Sequence, residues 1–438
     1  MASRCSINPS ALSTPFDLPS VEVGNSYKAR RLFTEVNGAV PLIAFDASVS
    51  SGPRAAIIFY EECLKINPQN SQALNNIAPA YYSIKEYKKA EDAIRLSIKL
   101  SPKPKYQHMF LSSLLLQDQR LTEGWKEYKW SHYGNNFNLT VKSNNIPYWN
   151  GECLKGKKIF VCGEQGIGDE ILFTWQHKNL IKDAEKVGIS CQSRLVPLFR
   201  NSFPKAQVDQ YYFKVNRELD IEYMYFPNFD LSEYDYQIIA GEVATHYWKD
   251  YKDIKAINGS ALSPSKEKIA IWKKRIEDLP NDISVGIAWR SGLMLANRSQ
   301  NYADLMEWSP ILKEQNINFV NVQYGDCQKE LDDFEDKTGI KIYNFEDLNL
   351  KDDFESTTAM MQNLDLVIGP ASAPLMQSAL SDIETWFFVS RIPFWTFGDE
   401  TPKWQPKVKV FAKDENETWS PLMKASSKQF KIWIKSKT

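Results

Sequence analysis

Gly163-Glu164-Gln165-Gly166-Ile167-Gly168-Asp169-Glu170 follows the apolar run Lys158-Ile159-Phe160-Val161-Cys162 and precedes an amphipathic segment that begins near Ile171. A strand, a glycine turn and a helix start in that order make a backbone cradle. Glycines let the main chain approach a ligand closely, and amides at a helix N-terminus face an anion or oxygen. Gln165, Gly166 and Gly168 are the candidate ligand-facing residues of this loop. The same turn joins strand to helix in ordinary α/β domains, so local spacing leaves both readings standing.

A second group lies further along. Ile287-Ala288-Trp289-Arg290-Ser291-Gly292 sets Arg290 and Ser291 at a strand end. A guanidinium offers planar donors to a phosphate there, and a surface or interdomain ion pair is its structural alternative. Arg298 lies in a loop that either folds over the same edge or remains a solvated charge, and Gln323 either reaches a base or ribose or closes its turn. Leu366-Val367-Ile368-Gly369-Pro370-Ala371-Ser372-Ala373-Pro374 is again strand, small-residue turn and helix start. Ser372 reads as the N-cap with a proline in the first turn, and exposed amides at that point suit a diphosphate.

These residues need elements to position them, and the chain of 438 residues is long enough for two or three domains. Lys+Arg 53 against Asp+Glu 54 leaves a net charge of -1, so no global field draws a polyanion and nucleic acid is not the expected principal partner. Four scattered histidines and six cysteines without short paired spacing argue against a metal site or a disulfide framework. No apolar run reaches the ~18–20 residues of a membrane span, and the N-terminus lacks a signal-peptide core, so a cytoplasmic protein is expected. The 13 Trp fit large interdomain cores.

Residues 1–51 show poor periodicity. From 52 to 134 the chain reads as helical hairpins: Leu64-Lys65-Ile66-Asn67-Pro68 recurs 34 residues later as Ile98-Lys99-Leu100-Ser101-Pro102, the tetratricopeptide period. Small residues Ala78 and Ala90 let the hairpin helices approach closely, and so short an array is either a spacer or a groove for a partner. A polar linker covers 135–156. Short apolar runs at 159–162, 189–192, 207–212 and 236–240 form one α/β set, within 157–262. After charged, irregular sequence over 249–281, runs at 284–289, 318–323, 340–345, 365–368 and 385–389 form a second, within 263–412, with helices at 305–315, 329–337, 354–364 and 373–380. The tail 413–438 is read as helical. Two doubly wound Rossmann-type domains preceded by all-α repeats is the expected fold class, with ligands at the carboxyl ends of the strands.

In this order the segments resemble bacterial tetratricopeptide-repeat proteins with a GT-B glycosyltransferase region, heptosyltransferase-like and O-GlcNAc-transferase-like. The resemblance rests on Arg120-Leu121-Thr122-Glu123-Gly124-Trp125-Lys126-Glu127-Tyr128, on Tyr148-Trp149-Asn150-Gly151 leading to the 164–169 loop, on Trp289-Arg290-Ser291-Gly292, on 360–380, and on the closing segment 404–411. It implies transfer of a sugar from a nucleotide-activated donor to a glycan or protein acceptor, without cofactor or essential metal and with inversion. The sequence has no Asp-x-Asp pair, and in such enzymes basic side chains and helix amides stabilise the leaving diphosphate. By resemblance Arg290 would bind the donor phosphate, the Ser372 turn would hold the diphosphate, and Asp169, on the acceptor side, would be the general base; Ser291, Arg298 and Gln323 join the expected donor set, and Gln165, Gly166 and Gly168 the acceptor-side loop, by their positions along the chain. The alternative role for Asp169 is a helix-start charge. The chain departs from the family at 369–376, where many relatives carry acidic, hydroxyl and histidine side chains. That departure keeps a non-catalytic scaffold, binding partners through its repeats, as the competing reading.

Overall fold

The computed structural model describes residues 43–132, 146–164, 166–216, 221–257, 259–291, 301–414 and 417–437. Helices α1 (Ile43–Ile66, broken by a kink at Gly52), α2 (Ser71–Ser83), α3 (Tyr87–Leu100), α4 (Lys105–Gln117) and α5 (Leu121–Tyr128) form the antiparallel hairpins that the 34-residue period requires. Asn70 starts α2 by accepting from the amides of Gln72 and Ala73 at 3.2 and 3.1 Å. Ala78, Ala90 and Ile94 are fully buried between α2 and α3, which pack closely because alanine adds so little bulk. A Cβ on Gly124 would lie 2.7 Å from Leu116, so glycine is what lets α5 close on α4.

The first α/β domain contains β1 (Lys158–Cys162), α6 (Ile167–Leu172), α7 (His177–Asp183), β2 (Lys186–Cys191), α8 (Val196–Ser202), β3 (Gln207–Gln210), β4 (Tyr212–Asn216), β5 (Ile221–Tyr225), β6 (Tyr236–Ile239) and α9 (Ala244–Tyr247). Its sheet is parallel, in the order β3-β2-β1-β6. The hairpin β4–β5 is antiparallel and separate; the run expected at 207–212 takes in only its first residue, Tyr212. The second domain follows with α10 (Lys266–Glu277), β7 (Ile283–Ile287), α11 (Ser309–Leu312), β8 (Ile317–Asn321), α12 (Gln328–Thr338), β9 (Ile342–Tyr343), α13 (Phe354–Met361), β10 (Leu366–Pro370), α14 (Ala373–Leu380), β11 (Thr385–Val389), β12 (Val408–Ala412) and α15 (Trp419–Lys435). Its parallel sheet runs β12-β11-β10-β7-β8-β9. Every residue of β7, β8, β10 and β11 is buried, as expected for strands covered by helices on both faces.

Two helices of the second domain differ from expectation. Helix α10 occupies part of the stretch read as irregular; it buries only Trp272 and Ile276, which leaves little periodicity to see. The helix expected at 305–315 is a 3₁₀ turn and the four residues of α11. The tail is indeed helical, and Met423, Phe430 and Trp433 of α15 belong to the core of the second sheet, so it is no separate appendage. A single apolar cluster runs from Trp125 of the repeats through Trp175 of the first domain to Phe397 and Trp404 of the second. Ring centroids there lie 6.3 Å apart for Trp125–Trp175, 6.2 Å for Trp125–Phe397 and 5.5 Å for Trp175–Trp404.

Candidate functional site

Both sheets reverse their strand order at a definite place, and the crevice at the carboxyl ends beside such a reversal is where open α/β sheets bind ligands. In the first sheet the reversal falls between β1 and β6, and β1 leads into Gly163 and Glu164. In the second it falls between β7 and β10, which lead into Arg290 with Ser291 and into Ser372. Helix α6, after the first loop, packs against α14, after the Ser372 turn. The two cradles therefore belong to one interdomain junction.

Gly166 is the N-cap of α6, and its carbonyl accepts from the amides of Asp169 and Glu170 at 3.0 and 2.9 Å. Asp169 is exposed in the first turn. Gly168 has open space where a Cβ would stand. Ser372 sits at the N-cap of α14, but its side chain makes no capping bond, contrary to expectation; its Oγ is buried and has no partner. Gly369 brings β10 against the end of β7: a Cβ there would lie 2.7 Å from the Ala288 carbonyl oxygen. Gln165 and Arg298 lie outside the described residues.

Arg290 realises its ion-pair alternative. Its Nε donates to both Glu330 oxygens at 2.9 and 3.0 Å, and its Nη2 donates to Glu330 and, at 2.8 Å, to the Asp326 carbonyl. The hydrogen bond to Glu330 raises the guanidinium pKa further. Ser291 Oγ lies 3.4 Å from the Tyr324 hydroxyl. Gln323 does not reach outward for a base or ribose. It is fully buried, its Oε1 accepts from the Trp289 and Arg290 amides at 3.2 and 2.9 Å, and its Nε2 donates to the Tyr324 carbonyl at 2.8 Å. It fixes the strand end that carries Arg290, the turn-closing alternative.

Sequence reasoning passed over the buried acids around the first loop. Glu164 and Glu170 are 3% and 2% exposed. Glu164 Oε1 accepts from the Gly241 amide at 2.9 Å. Glu170 accepts from the Tyr211 hydroxyl at 2.7 Å and from the Gln192 amide at 2.8 Å. Burial, reinforced by Glu164 and Asp169, pushes the Glu170 carboxyl up to about 8 despite those donors. The only signal in the sequence was their place on either side of a glycine turn. Glu242, also buried, pairs with Lys129 from the end of the repeats at 3.4 Å.

Among the described residues no group of three His, Cys, Asp or Glu is placed to hold a metal ion, and no helix is long and apolar enough to cross a membrane. Cavities of about 390 and 330 Å³, beside Lys178 and Phe203 and beside Trp149 and His246, lie away from both cradles.

A sequence model of the tetratricopeptide repeat matches residues 71–104. The chain is similar to protein FlbA of Caulobacter vibrioides, with 27% identity over 381 residues that make up 84% of this chain and 62% of that protein. The chain thus spans less than two thirds of the length of that relative. Among solved structures it is similar to a glycosyl transferase family 9 protein from Veillonella parvula, at 13% identity and a TM-score of 0.44, covering 65% of this chain and 97% of that one. It is also similar to the E. coli ADP-heptose lipopolysaccharide heptosyltransferase II, at 10% identity and a TM-score of 0.43, covering 64% and 100%. Residues 71–104 are a tetratricopeptide repeat, and two α/β domains, each built on a parallel sheet, follow the repeats.

Proposed function

We propose that the protein is a glycosyltransferase that moves a sugar from a nucleotide-activated donor to an acceptor hydroxyl, without a metal ion and with inversion. The observation that carries this reading is the packing of α6 on α14, which joins the two cradles in one junction. The donor diphosphate lies at the Ser372 turn, where the Ala373 and Leu375 amides, on either side of Pro374, and the unpartnered Ser372 Oγ are its hydrogen-bond donors. Arg290 adds positive charge from β7, after exchanging part of its Glu330 pair for phosphate. Asp169 takes the acceptor proton as the acceptor oxygen bonds to the anomeric carbon. The bond from that carbon to the diphosphate oxygen breaks, and the nucleoside diphosphate leaves with the electron pair. Metal independence rests on the resemblance and on the missing Asp-x-Asp pair.

A polypeptide acceptor is favoured by where the repeats dock. Gln117 of α4 donates to the Ile392 carbonyl at 2.9 Å, and Arg391 lies over the Tyr82 ring of α2 at 5.2 Å, just beyond the carboxyl end of β11. The repeats thus abut the edge of the second sheet that holds the Ser372 turn. The scaffold reading draws on the departure from the family at 369–376 and on the engagement of Arg290 by Glu330.

Release of nucleoside diphosphate from a panel of nucleotide sugars decides between them. Asp169→Asn should lower turnover by roughly 10²–10⁴-fold with the donor KM unchanged. Undiminished turnover in that variant removes Asp169 from the role, and no release from any donor favours the scaffold.

A further inference from the structure

The two buried glutamates on either side of the glycine turn tie it to every other strand end of the first sheet. Glu164 reaches across the β1/β6 reversal to the Gly241 amide just after β6, at 2.9 Å. Glu170 reaches the opposite way, to the Gln192 amide just after β2 at 2.8 Å and to the hydroxyl of Tyr211 just after β3 at 2.7 Å. These amides lie beyond the ladder that satisfies their neighbours, and a buried amide needs an acceptor from somewhere. Two glycines open the space the acids pass through. A Cβ on Gly241 would lie 2.3 Å from Glu164 Oε1, and a Cβ on Gly163 would lie 2.6 Å from the Tyr211 ring. Gly163 is itself held by its amide, which donates to Ser190 Oγ at 3.0 Å.

We infer that Glu170, together with Glu164, is a positioning residue: the pair clamps the start of α6 onto the sheet and so fixes where Asp169 stands. Two acids buried close together are a costly way to fill a core, because each loses its hydration. Apolar side chains of the same size would fill that volume without the cost, but they could not accept from Gly241, Gln192 and Tyr211 at once. Asp169 is the neighbour of Glu170 on a helix of only six residues. Whatever sets the height and rotation of the Glu170 backbone therefore sets the Asp169 carboxylate. The catalytic part of this inference rests on the function proposed above; the clamp does not.

Hydrogen–deuterium exchange and kinetics separate the two. Glu170→Leu removes both acceptors, Glu170→Gln keeps an oxygen to accept from the Gln192 amide and sets an amide donor against the Tyr211 hydroxyl, reversing that bond, and Tyr211→Phe removes only the hydroxyl if the leucine variant does not fold. In Glu170→Leu, amides over 166–172 should exchange at least tenfold faster, while those of β7, β10 and α14 keep their protection; Tyr211→Phe should show the same local pattern at smaller amplitude. Glu170→Gln should restore wild-type exchange. With the nucleotide sugar that the wild type cleaves, Glu170→Leu should lower kcat at least tenfold at unchanged donor KM, and Glu170→Gln should return it. Unchanged exchange over 166–172 in both Glu170→Leu and Tyr211→Phe, or an equal loss of protection across both sheets, overturns the clamp. Local loosening without any donor cleavage by the wild type upholds the clamp and sinks the proposed transferase.

Discussion

A carboxyl and two imidazoles in the first domain set how stability follows pH. Burial holds Glu170 protonated up to about 8 in the folded protein, against about 4.5 for an ordinary glutamate. Between those values the unfolded chain gives up the proton and the folded chain keeps it, so this group makes the fold less stable as pH rises through that window. Burial lowers His177 and His246 from 6.5 to about 4, which does the reverse: their contribution is whole above 6.5 and is lost as pH falls toward 4. Together they predict a melting temperature that is highest near pH 6.5 and declines toward pH 8. The decline should vanish in Glu170→Gln; calorimetry from pH 4.5 to 8.5 checks it, and a flat profile in the wild type would show that Glu170 titrates normally. Little of this was legible in the sequence. Arg290, Ser291 and Ser372 could be placed at strand ends because apolar runs precede them, and the structure sets all three beside one reversal of strand order. What Arg290 bonds to, and that Gln323 faces inward, depend on Glu330 and Trp289, which only the folded sheet brings near. Glu164 and Glu170 look like surface residues in a sequence, since nothing local announces that Gly241, Gln192 and Tyr211 will gather around them.

At the scale of elements, close approach decides where helices and turns can sit. Gly398 has φ +84, and a Cβ there would lie 2.4 Å from the Gln117 carbonyl oxygen at the end of α4. Gly398→Ala carries both the left-handed backbone penalty and a clash with main chain, about 2–4 kcal/mol together. Urea unfolding should show that loss, with faster proteolysis between α4 and the 391–399 segment; an unchanged midpoint would mean that α4 shifts freely on the second domain. The parallel strands were the most readable elements, because burial on both faces makes them unbroken apolar runs such as Thr385-Trp386-Phe387-Phe388-Val389, where expected and observed bounds coincide. The β4–β5 hairpin was missed for the opposite reason. It lies outside the parallel sheet, and its first strand alternates polar with apolar, as in Phe213-Lys214-Val215-Asn216, so no continuous run marks that strand.

For the molecule as a whole, the repeats and the two α/β domains share one core rather than hanging from linkers. Trp125 is 2% exposed and touches Trp175 and Phe397, one ring from each α/β domain. Trp125→Ala should therefore cost about 3–5 kcal/mol, and denaturation followed by repeat and by α/β probes should lose its single transition. Unaltered cooperativity would mean the repeats fold independently. The tryptophan-rich composition anticipated such a junction, but the partners of each ring follow from tertiary packing alone. The central claim is that this junction holds a nucleotide-activated sugar, and thermal-shift measurements against nucleoside diphosphates and nucleotide sugars, with and without Mg²⁺, test it most directly. Ligand at a hundredfold excess over its dissociation constant stabilises the native state by about 2.7 kcal/mol. A shift is expected for one nucleotide, the same with and without Mg²⁺ and lost in Arg290→Ala. No shift from any nucleotide at saturating concentration, with the fold intact, would contradict it.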